Sequence, residues 1–216
     1  MIWPFGEAAF LVELGDATRA GAVAAFLRRE PPEWVTGVVA GRESVLVEFE
    51  VAHADAVEEA VGARIAGMGA TPVVDGRLRR IPVVYDGPDL EDVAALAGLA
   101  ATQIVELHAS AELRVLFGGF APGFAYLGEV PEALTVPRLA TPRTRTPAGS
   151  VALADGMSGI YPADLPGGWR VIGWTPIALF DAARRLPAYL EPGDRVRFVP
   201  IHRRDADRHA GPPEDW

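Results

Sequence analysis

The sequence predicts an α+β protein in two parts: a ferredoxin-like N-terminal domain over 1–85, a mainly-β barrel or sandwich over 86–201, and a polar tail over 202–216. Two observations carry that reading. The first third alternates in the order β-α-β-β-α-β, the pattern of a split βαβ unit. The remainder turns into short apolar strands broken by Pro and Gly clusters, which suits a closed or two-layered β structure.

The elements follow in order. "AAFLVEL" (8–14) has the branched and aromatic content of a strand, and 17–30 places Val23, Phe26 and Leu27 on one helical face behind a capping Asp16. Residues 34–50 read as a hairpin turning at "AGRES". A second helix, 53–68, carries Val57, Val61 and Ile65 at spacing four, and "RRIPVVYD" (79–86) closes the set as a strand. Pro88 suits a first helical turn and Gly98 the end of that helix; another helix runs over 101–110. Beyond it lie "RVLFGGF", "SVALA", "GIYP", "WRVIGWTPIALF" and "DRVRFVP", each a short strand candidate. The tail is polar and proline-containing, so fraying is its expected state.

Composition narrows the function. Half of the 216 residues are hydrophobic and 23% charged, as in an ordinary globular protein. A net charge of −9 argues against nucleic-acid or anionic-membrane partners, which need clustered basic residues. With no cysteine there is no disulfide, thiolate catalysis or cysteine metal site, which fits a reducing cytoplasm. No apolar stretch approaches the roughly eighteen residues of a membrane helix, and the N-terminus lacks a basic leader; a soluble, cytoplasmic protein is expected.

Phosphate-binding loops of the G-x-x-x-x-G-K-[ST] and G-x-G-x-x-G kinds are missing, so any use of ATP needs a partner. "GMSG" around Ser158 lacks the final glycine of a nucleophile elbow, because Ile160 stands there. His53, His108, His202 and His209 do not show helical metal spacing, and no intrinsic metal site is expected. His108 ends a helix, where it either meets the last carbonyls or serves a site delivered by that helix. "PRLATPRTRTPAGS" holds Arg138, Arg143 and Arg145 on a proline-stiffened segment, either a preformed carboxylate- or phosphate-binding loop or a solvated one. "GGFAPGFAY" sets Phe120, Phe124 and Tyr126 around a Pro122–Gly123 turn, and "LPGGW" adds Trp169 behind Gly167 and Gly168.

These runs, with "PAGS" and "LEPGDRVRFVP", closely resemble the 5-oxoprolinase B-subunit family, also called the KipI or allophanate hydrolase subunit 1 family. The resemblance covers the chain to about residue 200. It implies a ferredoxin-like first domain and a cyclophilin-like β-barrel as the second. It also implies partners: a homologous C subunit and an A subunit, which together with this chain form an ATP-dependent enzyme opening 5-oxo-L-proline to L-glutamate. This chain would bind no cofactor alone, with ATP and Mg used by the assembled complex. Other relatives are halves of urea carboxylase's carboxyltransferase domain or inhibit a histidine kinase, so the alternatives are a non-catalytic regulator and a subunit of a related carboxyltransferase or amide-hydrolysing system.

On this resemblance, Phe120, Pro122, Gly123, Tyr126, Arg138, Gly149, Ser150, Gly167, Gly168 and Trp169 would shape a pocket wall or subunit interface. Lactam opening needs electrostatic clamps and a proton donor. By that chemistry, and not by the resemblance, Arg138 and Arg143 would grip a carboxylate or acyl phosphate, Tyr161 and Ser150 would hydrogen-bond, and His108 would be the titrating base. The sequence departs from the family at Met157 and Ser158, where a Gln-Thr pair is usual, and at Trp174, where Arg is usual. Ala100 stands where a capping Thr or Ser is typical.

Overall fold

The computed structural model describes residues 1–51, 54–67 and 76–216, which divide into two compact units, 1–75 and 76–216. His53 lies outside the described residues.

In the first unit, β1 (Ile2–Pro4), β2 (Ala9–Glu13), β3 (Val35–Ala40) and β4 (Ser44–Phe49) form one antiparallel sheet in the order β1-β2-β4-β3. The alternation of Phe10 and Val12, and of Val45, Val47 and Phe49, puts one face of the sheet out of water. Phe10 stacks on Phe49 with centroids 5.4 Å apart. Helix α1 (Ala17–Arg29) is capped as expected, Asp16 accepting from the Arg19 amide at 2.7 Å, and it buries Val23 and Leu27. Helix α2 (Ala54–Gly67) buries Val57 and Val61.

The domain boundary needs correcting. The strand expected to close this unit, β5 (Leu78–Val83), pairs parallel with β13 (Arg195–Pro200) in the second unit, so the division falls before it and not at residue 85. The edge of the first sheet beside β2 is taken by β1. Arg79 supplies the physical reason: its side chain is almost wholly buried between Asp194 and Asp215, partners that only the second unit provides.

The second unit continues with α3 (Leu90–Ala97), α4 (Ala101–Ser110), β6 (Leu113–Gly118), β7 (Ala125–Gly128), β8 (Arg143–Thr146), β9 (Ser150–Ala154), β10 (Met157–Ile160), β11 (Leu165–Gly167) and β12 (Arg170–Trp174). Seven strands form a sheet ordered β12-β9-β10-β7-β6-β13-β5. Its two edges then meet: just past β5, Val84 exchanges two 2.8 Å hydrogen bonds with Trp174 at the end of β12. That seam gives a nearly closed barrel filled by Leu127, Leu153, Ile172 and Phe198. Strands β8 and β11 pair apart from it as a two-stranded ribbon.

Gly98 ends α3 in the left-handed conformation, as its position predicts, while Ala100 leaves α4 without a side-chain cap. Gln103 compensates by accepting from the Ala100 amide at 2.9 Å.

The tail is ordered, contrary to expectation. Arg203–His209 forms a 3-10 helix with Ala206 buried, Gly211 bridges to Ile177, and Trp216 donates its indole N–H to the Leu186 carbonyl at 2.9 Å. Asp215 accepts from the Arg79 guanidinium at 2.8 Å and from the Tyr189 hydroxyl at 2.9 Å. Polarity suggested fraying; two tethers to buried groups prevent it.

Candidate functional site: an aromatic bowl on the barrel

The loop joining β6 to β7 is a tight turn in which the Phe124 amide donates to the Ala121 carbonyl at 3.0 Å. Gly123 takes φ +83°, and a Cβ there would come within 2.7 Å of Phe180. Phe120 is held at φ +66° with 58% of its surface exposed. A left-handed aromatic residue is an uncommon conformation that the surrounding turn must sustain.

Phe124 is the hub beneath it, meeting Phe120, Tyr126, Tyr161 and Trp169 edge-on at centroid separations of 5.4, 4.9, 5.4 and 5.6 Å. Tyr126 stacks on Phe117 at 4.4 Å. Two glycines make room: a Cβ on Gly159 would press within 2.9 Å of Phe124, and one on Gly167 would overlap the Tyr161 hydroxyl.

What remains is a bowl of about 90 Å³. It gathers Phe120, Tyr126, Arg138, Tyr161, Gly167, Gly168 and Trp169, seven of the residues singled out in the sequence. Pro122 and Gly123 build the turn behind it. Arg138 pairs with Asp155 at 2.8 Å, both side chains about half exposed, so its guanidinium stands at the water's edge with donors to spare. Burial raises the Tyr161 hydroxyl above the ordinary phenol range, with the Trp169 backbone pulling the other way. Burial also raises Tyr126, opposed by the charge of Arg138. Both phenols are therefore protonated near neutrality.

His108 is not in the bowl. It is fully buried, its Nδ1 2.8 Å from the Tyr85 hydroxyl, its Nε2 2.9 Å from Ser158 Oγ and its ring stacked 4.4 Å from Phe198. Burial depresses its pKa to about 3. The titrating-base expectation is overturned, because a base with both nitrogens engaged inside the core cannot reach a substrate. Ser158, the departure from the usual Thr, is the hydroxyl that serves this histidine.

Arg143 is also placed differently. Its Nη2 donates to Asp89 Oδ1 at 2.6 Å and its Nη1 reaches the Trp169 carbonyl at 3.5 Å. Asp89, in the N-cap position of α3, does not cap its own helix; its second oxygen accepts from the Val171 amide at 2.7 Å. Arg143 is thus a strut from β8 to α3 and lines a second cleft with Ser150. Gly149, at φ +81°, lets Trp174 pack closely, since a Cβ there would lie 2.5 Å from the indole nitrogen. Arg145 is held by Asp164.

The sequence pointed to the arginines but not to Asp89, Asp155 or Asp164, whose pairing depends on contacts distant in the chain. Among the described residues no three His, Asp or Glu side chains gather to hold a metal ion, and no single helix is long and apolar enough to cross a membrane.

Residues 1–190 match the profile of the carboxyltransferase domain, subdomains C and D. The chain belongs to that family. A protein of Escherichia coli O157:H7, named as the B subunit of 5-oxoprolinase, is 54% identical over 129 residues, 58% of this chain and 59% of that relative. One of the same name from Bacillus subtilis is 40% identical over 154 residues, 70% of this chain and 64% of the relative. The match therefore spans about three-fifths of these relatives' length.

Among solved structures, TTHA0988 is 35% identical with a TM-score of 0.79, covering 90% of this chain and 40% of that one. The urea amidolyase of K. lactis reaches a TM-score of 0.77 at 18% identity, over 96% of this chain and 15% of that enzyme, a likeness of fold alone.

Proposed function

We propose that this chain is the B subunit of a bacterial ATP-dependent 5-oxoprolinase, working in the cytoplasm with a homologous C subunit and an A subunit to open 5-oxo-L-proline to L-glutamate. The observation that carries the reading is the 54% identity to a protein of that name. In this reading the barrel is cyclophilin-like, and the first unit is a ferredoxin-like variant with β1 on the edge beside β2.

The bowl is the surface offered to the reaction. Its aromatic walls suit the methylene edge of a small ring, the outer donors of Arg138 suit a single carboxylate, and Tyr161, a protonated phenol, offers a hydrogen bond to a ring carbonyl. ATP would supply a phosphoryl group to the lactam oxygen with release of ADP; water would then add to the activated carbon, the C–N bond would break as the nitrogen takes up a proton, and a second water would release phosphate from the resulting acyl phosphate. In this reading the phosphoryl chemistry is assigned to the partner subunits. The role given to this chain is to bind and orient the ring.

A second reading is a carboxyltransferase-type component that works on another amide, favoured by the family profile and by Trp174 in place of the usual arginine. ATP-dependent glutamate release from 5-oxoproline by the three mixed subunits, each omitted in turn, separates the two. The proposal expects release only when all three are present. Release without this chain, or none with all three, overturns it.

A further inference from the structure

A second cleft, about 220 Å³, lies at the barrel seam, between the 86–88 loop, β8 and the end of β12. Gly87 and Gly173 bring these backbones together, since a Cβ on Gly87 would collide with the Val171 carbonyl and one on Gly173 would lie 2.7 Å from Val84 O. Pro88, Pro147, Val171 and the indole of Trp174 give it apolar walls. The Trp174 N–H is already donated to the Ala148 carbonyl at 3.1 Å, which fixes the ring as a flat surface.

Two guanidinium groups border this space, each steadied by an aspartate. Arg143 is held by Asp89. Arg203, from the C-terminal segment, is held by Asp86 through Nε at 2.9 Å and through Nη2, and its Cζ lies 5.9 Å from the Trp174 ring centroid. Among the described residues Arg203 Nη1 makes no hydrogen bond, so part of that fork is free. A fork oriented from behind loses little freedom in gripping an oxyanion.

Thr146 is the second observation. It is completely buried and lines the cleft, yet its hydroxyl has no hydrogen-bond partner. Its neighbour is the Tyr161 hydroxyl, whose pKa rise on burial it opposes. A buried hydroxyl left unpaired is costly, and a ligand oxygen that reached it would remove that cost. Asp86 faces the same space and opposes a second negative charge.

We propose that the seam cleft is a binding site for a small monocarboxylic acid with a flat apolar body, gripped by Arg203 and Arg143 against Trp174. The site is separate from the bowl and does not depend on the 5-oxoprolinase reading. It also gives the C-terminal segment a function, as the source of Arg203. Trp174, standing where the resemblance leads one to expect an arginine, supplies the apolar face, and Arg203 supplies the charge from elsewhere in the chain.

The test uses the full chain labelled with 15N-tryptophan, following the Trp174 indole signal, assigned with Trp174→Phe. Benzoate is the probe, benzamide the uncharged control and phthalate the dianion. The proposal expects a saturable shift with benzoate, at least tenfold weaker with benzamide and with phthalate. Arg203→Gln should weaken benzoate at least tenfold without changing the unfolding temperature, and Thr146→Val should weaken it severalfold. No saturable shift at millimolar benzoate, equal affinity for benzamide, or an unaffected Arg203→Gln variant overturns it.

Discussion

His108 shows how one side chain changes meaning between sequence and structure. At the end of a helix it reads as a capping group or a base; in the fold it bridges Tyr85 and Ser158 inside the core. Helical position was legible, but what lies beneath the helix was not, because Tyr85 and Ser158 arrive from other elements. The consequence is a pH dependence of known sign. A histidine whose pKa falls from about 6.5 unfolded to about 3 folded binds fewer protons when folded, so stability is complete above the unfolded value and drains as pH falls toward the folded one. Thermal unfolding between pH 7 and 4.5, above most carboxylate titrations, should show a falling melting temperature, and His108→Asn should flatten that slope. Gly167 is the other decisive residue: Gly167→Ala pushes a methyl into the Tyr161 hydroxyl and should distort the bowl, seen as altered tryptophan fluorescence from Trp169 together with a lower melting temperature.

At the scale of elements, local periodicity carried most of the reading. The helices and most strands of the barrel lie where apolar spacing and Pro-Gly punctuation placed them. Pairing was not legible: β5 looks like a closing strand for the first unit, yet its partner β13 is more than a hundred residues away. The strut from β8 to α3 is another long-range contact, and its importance is measurable. Asp89→Ala leaves Arg143 without its carboxylate and the Val171 amide without its acceptor, which should lower stability by about 3 kcal/mol in denaturant unfolding. An Arg138→Gln change removes a pair about half exposed and should cost less than about 1 kcal/mol in the same experiment.

Across the whole molecule, the C-terminal segment is part of the second unit. Asp215 and Trp216 tie it to Arg79, Tyr189 and Leu186, and a polar composition gave no sign of it because these partners lie in other parts of the chain. Asp215→Ala leaves the buried Arg79 with Asp194 alone and should lower stability by about 1–3 kcal/mol, checked by denaturant unfolding. The bowl, in contrast, was largely legible, because its aromatic and glycine residues fall in compact runs that the turns fold back together. Its assigned role rests on the assembled enzyme. The most direct measurement is kcat/KM for 5-oxoproline in the three-component enzyme carrying Arg138→Gln, a variant expected to fold and assemble normally. A fall of about a hundredfold is expected, the loss of one charge-assisted clamp on the substrate carboxylate. An unchanged kcat/KM in a fully assembled enzyme would contradict the assignment and move substrate binding off this face of the barrel.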